Sequence, residues 1–215
     1  MSDESKDYLR PYRDAVARHG PSFEATLWGS ADAQRLRFDV MRNLAGGFDG
    51  CVLLDVGCGR GDFAAHLDEH GSDYAAVVGI DAMGEMIEGA RARAIPRTAF
   101  VEGDAIADAD VLDRAIELAP AAIDYACFSG TLNTMDDETA RVLIERTFAV
   151  ARQGVLFNFL SDRPHARWEG RALAPARRFD TLAWIDWALA RTSRVDFTQS
   201  YLDGHDATVL MRHDD

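Results

Sequence analysis

The stretch Val52-Leu53-Leu54-Asp55-Val56-Gly57-Cys58-Gly59-Arg60-Gly61 contains the strongest structural signal in this sequence. Its apolar first half is typical of a strand that is buried on both faces of a parallel sheet. The glycines that follow allow the backbone to turn sharply and to approach a ligand closely, and a helix begins after them. Such turns normally bind nucleotides at the carboxyl edge of a doubly wound sheet. A tight turn without a ligand has the same local pattern, so the surrounding sequence must distinguish a ligand-binding turn from a purely structural one.

The sequence after this turn alternates between strand-like and helix-like segments. We predict strands at 51–56, 76–80, 99–102, 123–128 and 155–160, and helices at 62–70, 84–93, 111–118, 137–151 and 181–191. Alternation with short connections implies right-handed crossovers and a parallel sheet. Two final strands, 194–201 and 207–213, flank the pair Asp203-Gly204, which is typical of hairpins. The predicted fold class is therefore α/β, a Rossmann-like doubly wound sheet of seven strands with an antiparallel C-terminal hairpin.

Two helices are predicted before the sheet. The first covers 6–19 and ends at Gly20-Pro21, and the second begins after Ser30 and ends at Gly46-Gly47. We interpret residues 1–47 as an N-terminal helical lid or extension, and residues 48–215 as the ligand-binding domain.

The composition limits the class of protein. The 215 residues are 47% hydrophobic, which is sufficient for one globular domain. The net charge of −13 disfavours nucleic-acid binding, because that requires a cationic surface. Neither a membrane-spanning apolar run nor a signal peptide is visible, and Cys51, Cys58 and Cys127 lack metal-ligand spacing. We expect a cytoplasmic protein that binds neither nucleic acid nor membranes.

The spacing of the glycines discriminates between cofactors. Glycines stand at 57, 59 and 61, whereas the dinucleotide fingerprint requires its third glycine where Asp62 stands. Asp55, just before the turn, would repel phosphate oxygens but would attract a ligand with a cationic end. S-adenosylmethionine has a sulfonium and an amino group and lacks phosphate, so it suits this turn better than NAD does.

From about Leu44 to His213 the chain resembles the class I S-adenosylmethionine-dependent methyltransferases. The resemblance rests on Asp55-x-Gly57-x-Gly59-x-Gly61, on the strand–helix alternation and on the final hairpin. It implies S-adenosylmethionine as cofactor and S-adenosylhomocysteine as product. The segment 124–133 is similar to a bacterial, small-molecule-type subgroup whose substrates are uncharacterised. It departs from the Asn/Asp-Pro-Pro-Tyr/Phe motif of amino-methylating nucleic-acid enzymes, which disfavours that activity.

The same resemblance implies a set of cofactor contacts. Asp55 would support the turn and the amino group, Asp81 would accept hydrogen bonds from both ribose hydroxyls, and Asp104 would contact the adenine. Arg37 is the candidate for the cofactor carboxylate, although Arg35 competes and an exposed helix arginine is an equally good interpretation. The remaining predicted contacts are Gly57, Cys58, Gly59, Gly61, Ala82, Ala105, Ser129 and Gly130.

Four residues are predicted to bind the methyl acceptor: Trp28, Asn133, Arg163 and Arg167. The segment 161–178 contains five arginines against two acidic residues and begins at the carboxyl edge of the sheet. We therefore predict an anionic acceptor that arginine grips bidentately, with a solvated loop as the alternative. Trp28 either forms a wall of the acceptor pocket or attaches the N-terminal helices to the domain.

Neither a metal site nor a catalytic base is predicted. His66 and His70 have a metal-binding spacing on a helix but lack a third ligand, and His205 and Asp206 are interpreted as turn residues rather than an acid–base pair. Methyl transfer from a sulfonium releases a neutral leaving group, so it depends mainly on alignment in a water-poor pocket. Two other functions stay open: a non-catalytic S-adenosylmethionine-binding module and, less favoured, an NAD(P)-dependent oxidoreductase.

Overall fold

A mixed sheet of eight strands forms the centre of the computed structural model, which describes residues 7–214. The strands are β1 (Val52–Val56), β2 (Ala76–Asp81), β3 (Thr98–Glu102), β4 (Tyr125–Phe128), β5 (Gly154–Ser161), β6 (Arg178–Phe179), β7 (Arg194–Thr198) and β8 (Asp206–Arg212). Their order is β3-β2-β1-β4-β5-β8-β7, and β6 pairs with the end of β5. Strands β1 to β6 pair in parallel, whereas β8 is antiparallel to both β5 and β7. The predicted doubly wound sheet is confirmed, and β6 is an additional two-residue strand.

Seven α-helices accompany this sheet in the described part of the chain. They are α1 (Arg10–His19), α2 (Ala31–Ala45), α3 (Asp62–Glu69), α4 (Gly84–Ala92), α5 (Val111–Leu118), α6 (Asp137–Val150) and α7 (Thr181–Leu189). The hydroxyl of Ser30 caps α2 by accepting a hydrogen bond from the backbone of Ala33. Lys6, at which the first helix was predicted to begin, lies outside the described residues. None of the helices within residues 7–214 has the length and hydrophobicity of a membrane-spanning segment.

Alternate residues of each strand face opposite sides of the sheet, which separates two apolar layers. Along β1, Val52, Leu54 and Val56 pack in one layer with α5, α6 and α7. Leu53 packs in the other layer with residues of α2 and α3. Because Phe38 and Met41 of α2 belong to that second layer, α2 packs against the sheet like the helices of the alternating segment.

The C-terminal hairpin differs from the prediction at its connection. The first strand ends at Thr198 instead of Tyr201, and a short 3₁₀ turn, Leu202–Gly204, precedes β8. The connection is bonded to the loop after β5, since the backbone of His165 donates to Asp203 O over 2.9 Å and the indole of Trp168 donates to Leu202 O over 3.0 Å. These tertiary bonds replace the tight two-residue turn that the Asp-Gly pair favours locally.

Candidate cofactor and acceptor site

A cavity of about 360 Å³ opens at the carboxyl ends of the parallel strands. It lies where the strand order reverses, between β1 and β4, which is the usual ligand position in doubly wound sheets. Its volume falls within the roughly 300–1,000 Å³ range of small-molecule sites. The turns after β1 to β4 form its floor and sides, while residues of the N-terminal segment and residues 173–176 complete its walls.

The turn after β1 requires glycine at position 57. Gly57 has φ of +76°, and a Cβ atom there would lie 2.5 Å from Oγ1 of Thr131. That hydroxyl donates a 2.7 Å hydrogen bond to the carbonyl of Val56 and therefore has little freedom to move away. The backbone of Gly59 donates to Oδ2 of Asp81 over 2.8 Å, which ties the turn to the end of β2. Gly57 and Gly59 thus place tightly held backbone without side chains at the edge of the cavity.

Asp55 is the most unusual charged residue of the cavity. Its side chain is 3% exposed, and it forms no hydrogen bond or ion pair with the described residues. Burial, reinforced by the nearby charges of Asp81 and Asp62, raises the pKa of this carboxyl to about 8. Such a group favours a cationic partner, because the partner would restore the interactions that the carboxylate lost on burial.

Asp81 is half-buried at the end of β2 and accepts hydrogen bonds from the backbone of Gly59 and, over 2.9 Å, of Met83. Burial raises the pKa of its carboxyl as well. Asp104 follows β3 and accepts hydrogen bonds from the backbone of Ile106 and from the hydroxyl of Tyr8. Both carboxylates line the cavity and retain acceptor capacity for a ligand, because each oxygen has two lone pairs.

The N-terminal helix α1 covers one side of this cavity. Tyr12 and Val16 of α1 pack with Met83 and Met86, and all four residues line the cavity. The hydrogen bond from Tyr8 to Asp104 attaches the residues just before α1 to the sheet edge. Nothing in the local sequence distinguishes Tyr8 or Tyr12 as a residue of the cavity.

Trp28 closes the cavity at the end of β4. It lies directly over Gly130, where a Cβ atom would be 2.4 Å from Cζ2 of the indole, and Gly130 has φ of +75°. Asn158 holds this turn, since its Oδ1 accepts from the backbone of Gly130 over 2.8 Å and its Nδ2 donates to Oγ of Ser129 over 3.3 Å. Trp28 therefore both lines the cavity and packs the N-terminal segment onto the domain, so its two interpretations are compatible.

The structure brings most of the predicted site residues together. The cavity is lined by Asp55, Gly57, Cys58, Gly59, Asp81, Ala82, Asp104, Ala105, Ser129, Gly130, Trp28 and Asn133. Gly61 lies behind the turn instead, because its backbone donates to Cys58 O and a Cβ atom there would meet Phe100 at 3.0 Å. Oδ1 of Asn133 accepts from the backbone of Leu160 over 3.1 Å, which leaves its NH₂ group for a ligand. Burial raises the pKa of the Cys58 thiol, so this group stays protonated.

Arg37 does not line the cavity. Its guanidinium forms a buried bidentate ion pair with Asp206, with Nε–Oδ1 2.7 Å and Nη2–Oδ2 2.5 Å, and it also donates to Ala33 O. It stacks 4.5 Å from the ring of Trp28. The geometry thus corrects the prediction that Arg37 holds the cofactor carboxylate, because its side chain lies outside the cavity lining and each of its three guanidinium nitrogens donates to another partner. The same ion pair excludes Asp206 from acting with His205 as an acid–base pair.

The position of the arginine-rich segment 161–178 relative to the cavity also differs from the prediction. Arg163 is exposed, Arg167 pairs with Asp203, and Arg177 pairs with Asp137 over 2.7 Å. Neither Arg163 nor Arg167 lines the cavity; residues 173–176 of the segment do so with apolar side chains. The predicted arginine clamp is therefore not formed, since the long side chains reach acidic partners and solvent.

His66 and His70 do not line the cavity. Their rings are 4.1 Å apart, and Nε2 of His66 is 2.9 Å from Oδ1 of Asp39. Among the described residues, no cluster of three or more histidine, cysteine or acidic side chains has metal-binding geometry.

The family model described as a methyltransferase domain matches residues 53–154, which run from β1 to the beginning of β5. No curated protein matches the sequence.

Several solved structures share the fold at low identity. Magnesium protoporphyrin IX methyltransferase of Synechocystis PCC 6803 with bound SAH is 15% identical, with a TM-score of 0.63, and the match covers 97% of this chain and 98% of that one. DhpI in its SAM–HEP complex is 18% identical, with a TM-score of 0.63 and 98% of both chains covered. Phosphoethanolamine N-methyltransferase 1 of Haemonchus contortus, in complex with phosphoethanolamine and S-adenosylhomocysteine, is 14% identical with a TM-score of 0.66; the match covers 99% of this chain and 50% of that one. Residues 53–154 are thus similar to a methyltransferase domain, and the solved structures show that the chain shares the fold of these methyltransferases.

Proposed function

We propose that this chain transfers the methyl group of S-adenosylmethionine to a small-molecule acceptor, which enters the cavity beside Ser129 and Gly130. The observation that carries the proposal is Asp55, a buried carboxyl group at the start of the glycine turn that has no partner among residues 7–214. A carboxylate in that position suits a ligand with cationic groups and opposes the phosphates of NAD.

The residues of the cavity fit this cofactor from end to end. Asp55 and the backbone of the glycine turn would hold the amino-acid end, and the remaining lone pairs of Asp81 would accept the ribose hydroxyls. Asp104 and the adjoining backbone would receive the adenine. Among residues 7–214, no arginine, lysine or histidine side chain lines the cavity to bind the pyrophosphate of NAD.

The residues around the acceptor end would act by alignment and by exclusion of water. When bound, S-adenosylmethionine supplies a methyl group on a cationic sulfur that leaves as a neutral thioether. Trp28 and residues 173–176 form apolar walls, and the free NH₂ of Asn133 and the hydroxyl of Ser129 provide hydrogen-bonding groups for orientation. We assign no catalytic residue, because holding the nucleophile in line in a dry pocket supplies most of the rate.

The charge of the cavity bears on the acceptor. An anionic acceptor would need Arg163 or Arg167 to turn inward, and no arginine, lysine or histidine among residues 7–214 lines the cavity. The geometry therefore favours a neutral or cationic acceptor over the anionic one that the arginine-rich segment predicts.

The experiment is a set of thermal melts with S-adenosylmethionine, S-adenosylhomocysteine, NAD and NADP. We expect the first two to raise the melting temperature, because a ligand at a hundredfold excess over its Kd increases the free energy of unfolding by about 2.7 kcal/mol. Asp81→Ala should weaken the effect by about tenfold in affinity, while Asp186→Asn, an exposed carboxylate of α7, should not change it. Stabilisation by NAD alone would refute the proposal. Release of S-adenosylhomocysteine in the presence of a metabolite extract would then separate an enzyme from a non-catalytic binding module.

A further inference from the structure

We propose that Asn133 determines which methyl acceptors this site takes. Its side-chain NH₂ donates to a carbonyl oxygen or ring nitrogen of an uncharged acceptor, at a group other than the atom that is methylated. This inference rests on the proposed function. It decides between the neutral and the cationic acceptors that the charge of the cavity leaves open.

The side chain of Asn133 is held in one orientation at the edge of the sheet. Strand β4 ends at Phe128, whereas β5 continues to Ser161. Beyond the end of β4, Oδ1 of Asn133 accepts from the backbone N–H of Leu160 over 3.1 Å. The backbone carbonyl of Asn133 accepts in turn from the N–H of Arg177 over 2.9 Å. Because a backbone N–H has to face the amide oxygen, the NH₂ group is fixed on the opposite side of the amide.

This NH₂ group has no acceptor among residues 7–214. Asn133 is nevertheless only 7% exposed, and it lines the cavity. A buried amide donor without a partner destabilises a folded protein, so a ligand that accepts from it recovers this loss on binding. The NH₂ of Asn133 is therefore available to a ligand, and its direction is set by the fold.

Ser129 adds a second donor at the same end of the cavity. Its Oγ accepts from Nδ2 of Asn158 over 3.3 Å, and Oδ1 of Asn158 accepts from the backbone of Gly130 over 2.8 Å. Asn158 is fully buried, so this arrangement fixes the Ser129 hydroxyl and leaves its proton for a ligand. Ser129 and Asn133, four positions apart in the turn after β4, thus present two neutral donors.

Neutral donors discriminate between acceptors by lone pairs and by charge. A protonated amine carries only N–H donors, so it would leave the NH₂ of Asn133 unpaired, and it has no lone pair to receive the methyl group. A carboxylate could accept from Asn133. However, no arginine, lysine or histidine among residues 7–214 lines the cavity to balance its charge. A neutral carbonyl oxygen or ring nitrogen meets both conditions.

The group that Asn133 binds differs from the atom that is methylated. In the transfer, the lone pair of the nucleophile forms the new bond to the methyl carbon, and the electron pair of the carbon–sulfur bond stays on sulfur. A proton on the nucleophile, where there is one, then leaves to water. A donor bound to that lone pair would oppose the step. Asn133 therefore orients the acceptor through a second group, while Trp28 and residues 173–176 enclose its apolar part.

The test uses three probes that share one aromatic ring: benzamide, benzylamine and benzoate, which present a neutral, a cationic and an anionic group. Each is titrated by NMR into protein saturated with S-adenosylhomocysteine, so that the cofactor end is filled. We expect benzamide to bind at least about fivefold more tightly than the other two, because it alone combines a lone pair with zero charge.

Asn133→Asp changes the donor and keeps the oxygen that accepts from Leu160. At mildly alkaline pH, where the new carboxyl group is ionised, it should weaken benzamide binding by about tenfold and strengthen benzylamine binding. This inversion of preference is not expected from a purely structural role. Asn43→Asp is the matched control, because Asn43 is exposed on α2 outside the cavity, and it should leave all three affinities unchanged.

A second variant avoids the new charge. Ser129→Ala removes the other donor and should weaken benzamide binding severalfold without strengthening benzylamine binding, even if Asn133→Asp fails to fold. Preference of the wild-type protein for benzylamine or benzoate would overturn the inference and leave the proposed function standing. Equal or undetectable binding of the three probes would do the same, as would an order that neither variant changes. If S-adenosylhomocysteine itself does not bind, the proposed function fails, and the inference with it.

Discussion

Replacement of Asp55 by asparagine measures by how much this buried carboxyl group lowers the free energy of unfolding. The side chain is buried, no residue in the described part of the chain pairs with it, and burial raises its pKa from an ordinary value of 3.8 to about 8. At about 1.4 kcal/mol for each pKa unit, the penalty for ionising it in the folded protein has an upper bound of about 6 kcal/mol. Water that enters the cavity screens part of this, so we expect Asp55→Asn to stabilise the ligand-free protein by about 2 kcal/mol at alkaline pH.

The advantage of the variant should grow with pH. Between the unfolded pKa of 3.8 and the folded pKa of about 8, folded wild-type protein holds the proton of Asp55 while unfolded protein has released it. The unfolded state then binds fewer protons, so the wild-type free energy of unfolding falls as pH rises through this window. Above about pH 8 both states are ionised and the difference becomes constant. Because asparagine does not titrate, the free energy of unfolding of the variant does not include this fall with pH.

Thermal melts of ligand-free protein at about pH 5 and about pH 8.5 provide the measurement. A stabilisation of about 2 kcal/mol corresponds to a rise of about 4–8 °C in melting temperature for a domain of this size. Asp186→Asn is the matched control, because this carboxylate is exposed on α7, and its effect should be small at both pH values. An advantage of Asp55→Asn that is absent, or that shrinks as pH rises, would refute the reasoning and indicate a carboxylate solvated within the cavity.

Three further perturbations have defined outcomes. Gly57→Ala should destabilise the protein and remove S-adenosylmethionine binding in calorimetry, because the residue has φ of +76° and a neighbouring side chain lies 2.5 Å from the new Cβ; unaltered binding would contradict the assigned turn. Arg37→Met should cost about 3–5 kcal/mol in urea unfolding, since it strands the buried charge of Asp206, whereas Arg37→Met with Asp206→Leu should recover much of that loss. A double variant no more stable than the single one would show that the uncompensated charge of Asp206 is not what destabilises Arg37→Met. Arg167→Gln should leave S-adenosylmethionine affinity unchanged, because its side chain pairs with a surface carboxylate outside the cavity. A clear loss of affinity would indicate that the arginine-rich segment contacts the cofactor.

The parts of the site that could be predicted are those that depend on short-range sequence. Asp55, Gly57 and Gly59 lie within one strand–turn unit, where residue type and spacing determine the backbone conformation. Asp81 and Asp104 could be placed because each follows a strand of the alternating pattern, and parallel strands end at the same edge of the sheet. Tyr8 and Gln34 carry no such local signal, and only their packing on the cavity distinguishes them from ordinary helix residues.

The sequence by itself determined the α/β class, the alternation of buried strands and helices, and the glycine turn that identifies the cofactor edge. Those features follow from periodicity and backbone sterics, which act between residues close in the chain. The tertiary structure alone decided what each long charged side chain does. Arg37 pairs with Asp206, 169 positions away, instead of facing a ligand, and Arg167 turns to Asp203 rather than inward. Such choices depend on which acceptor the fold brings within reach of a flexible side chain, and on how much water each position retains.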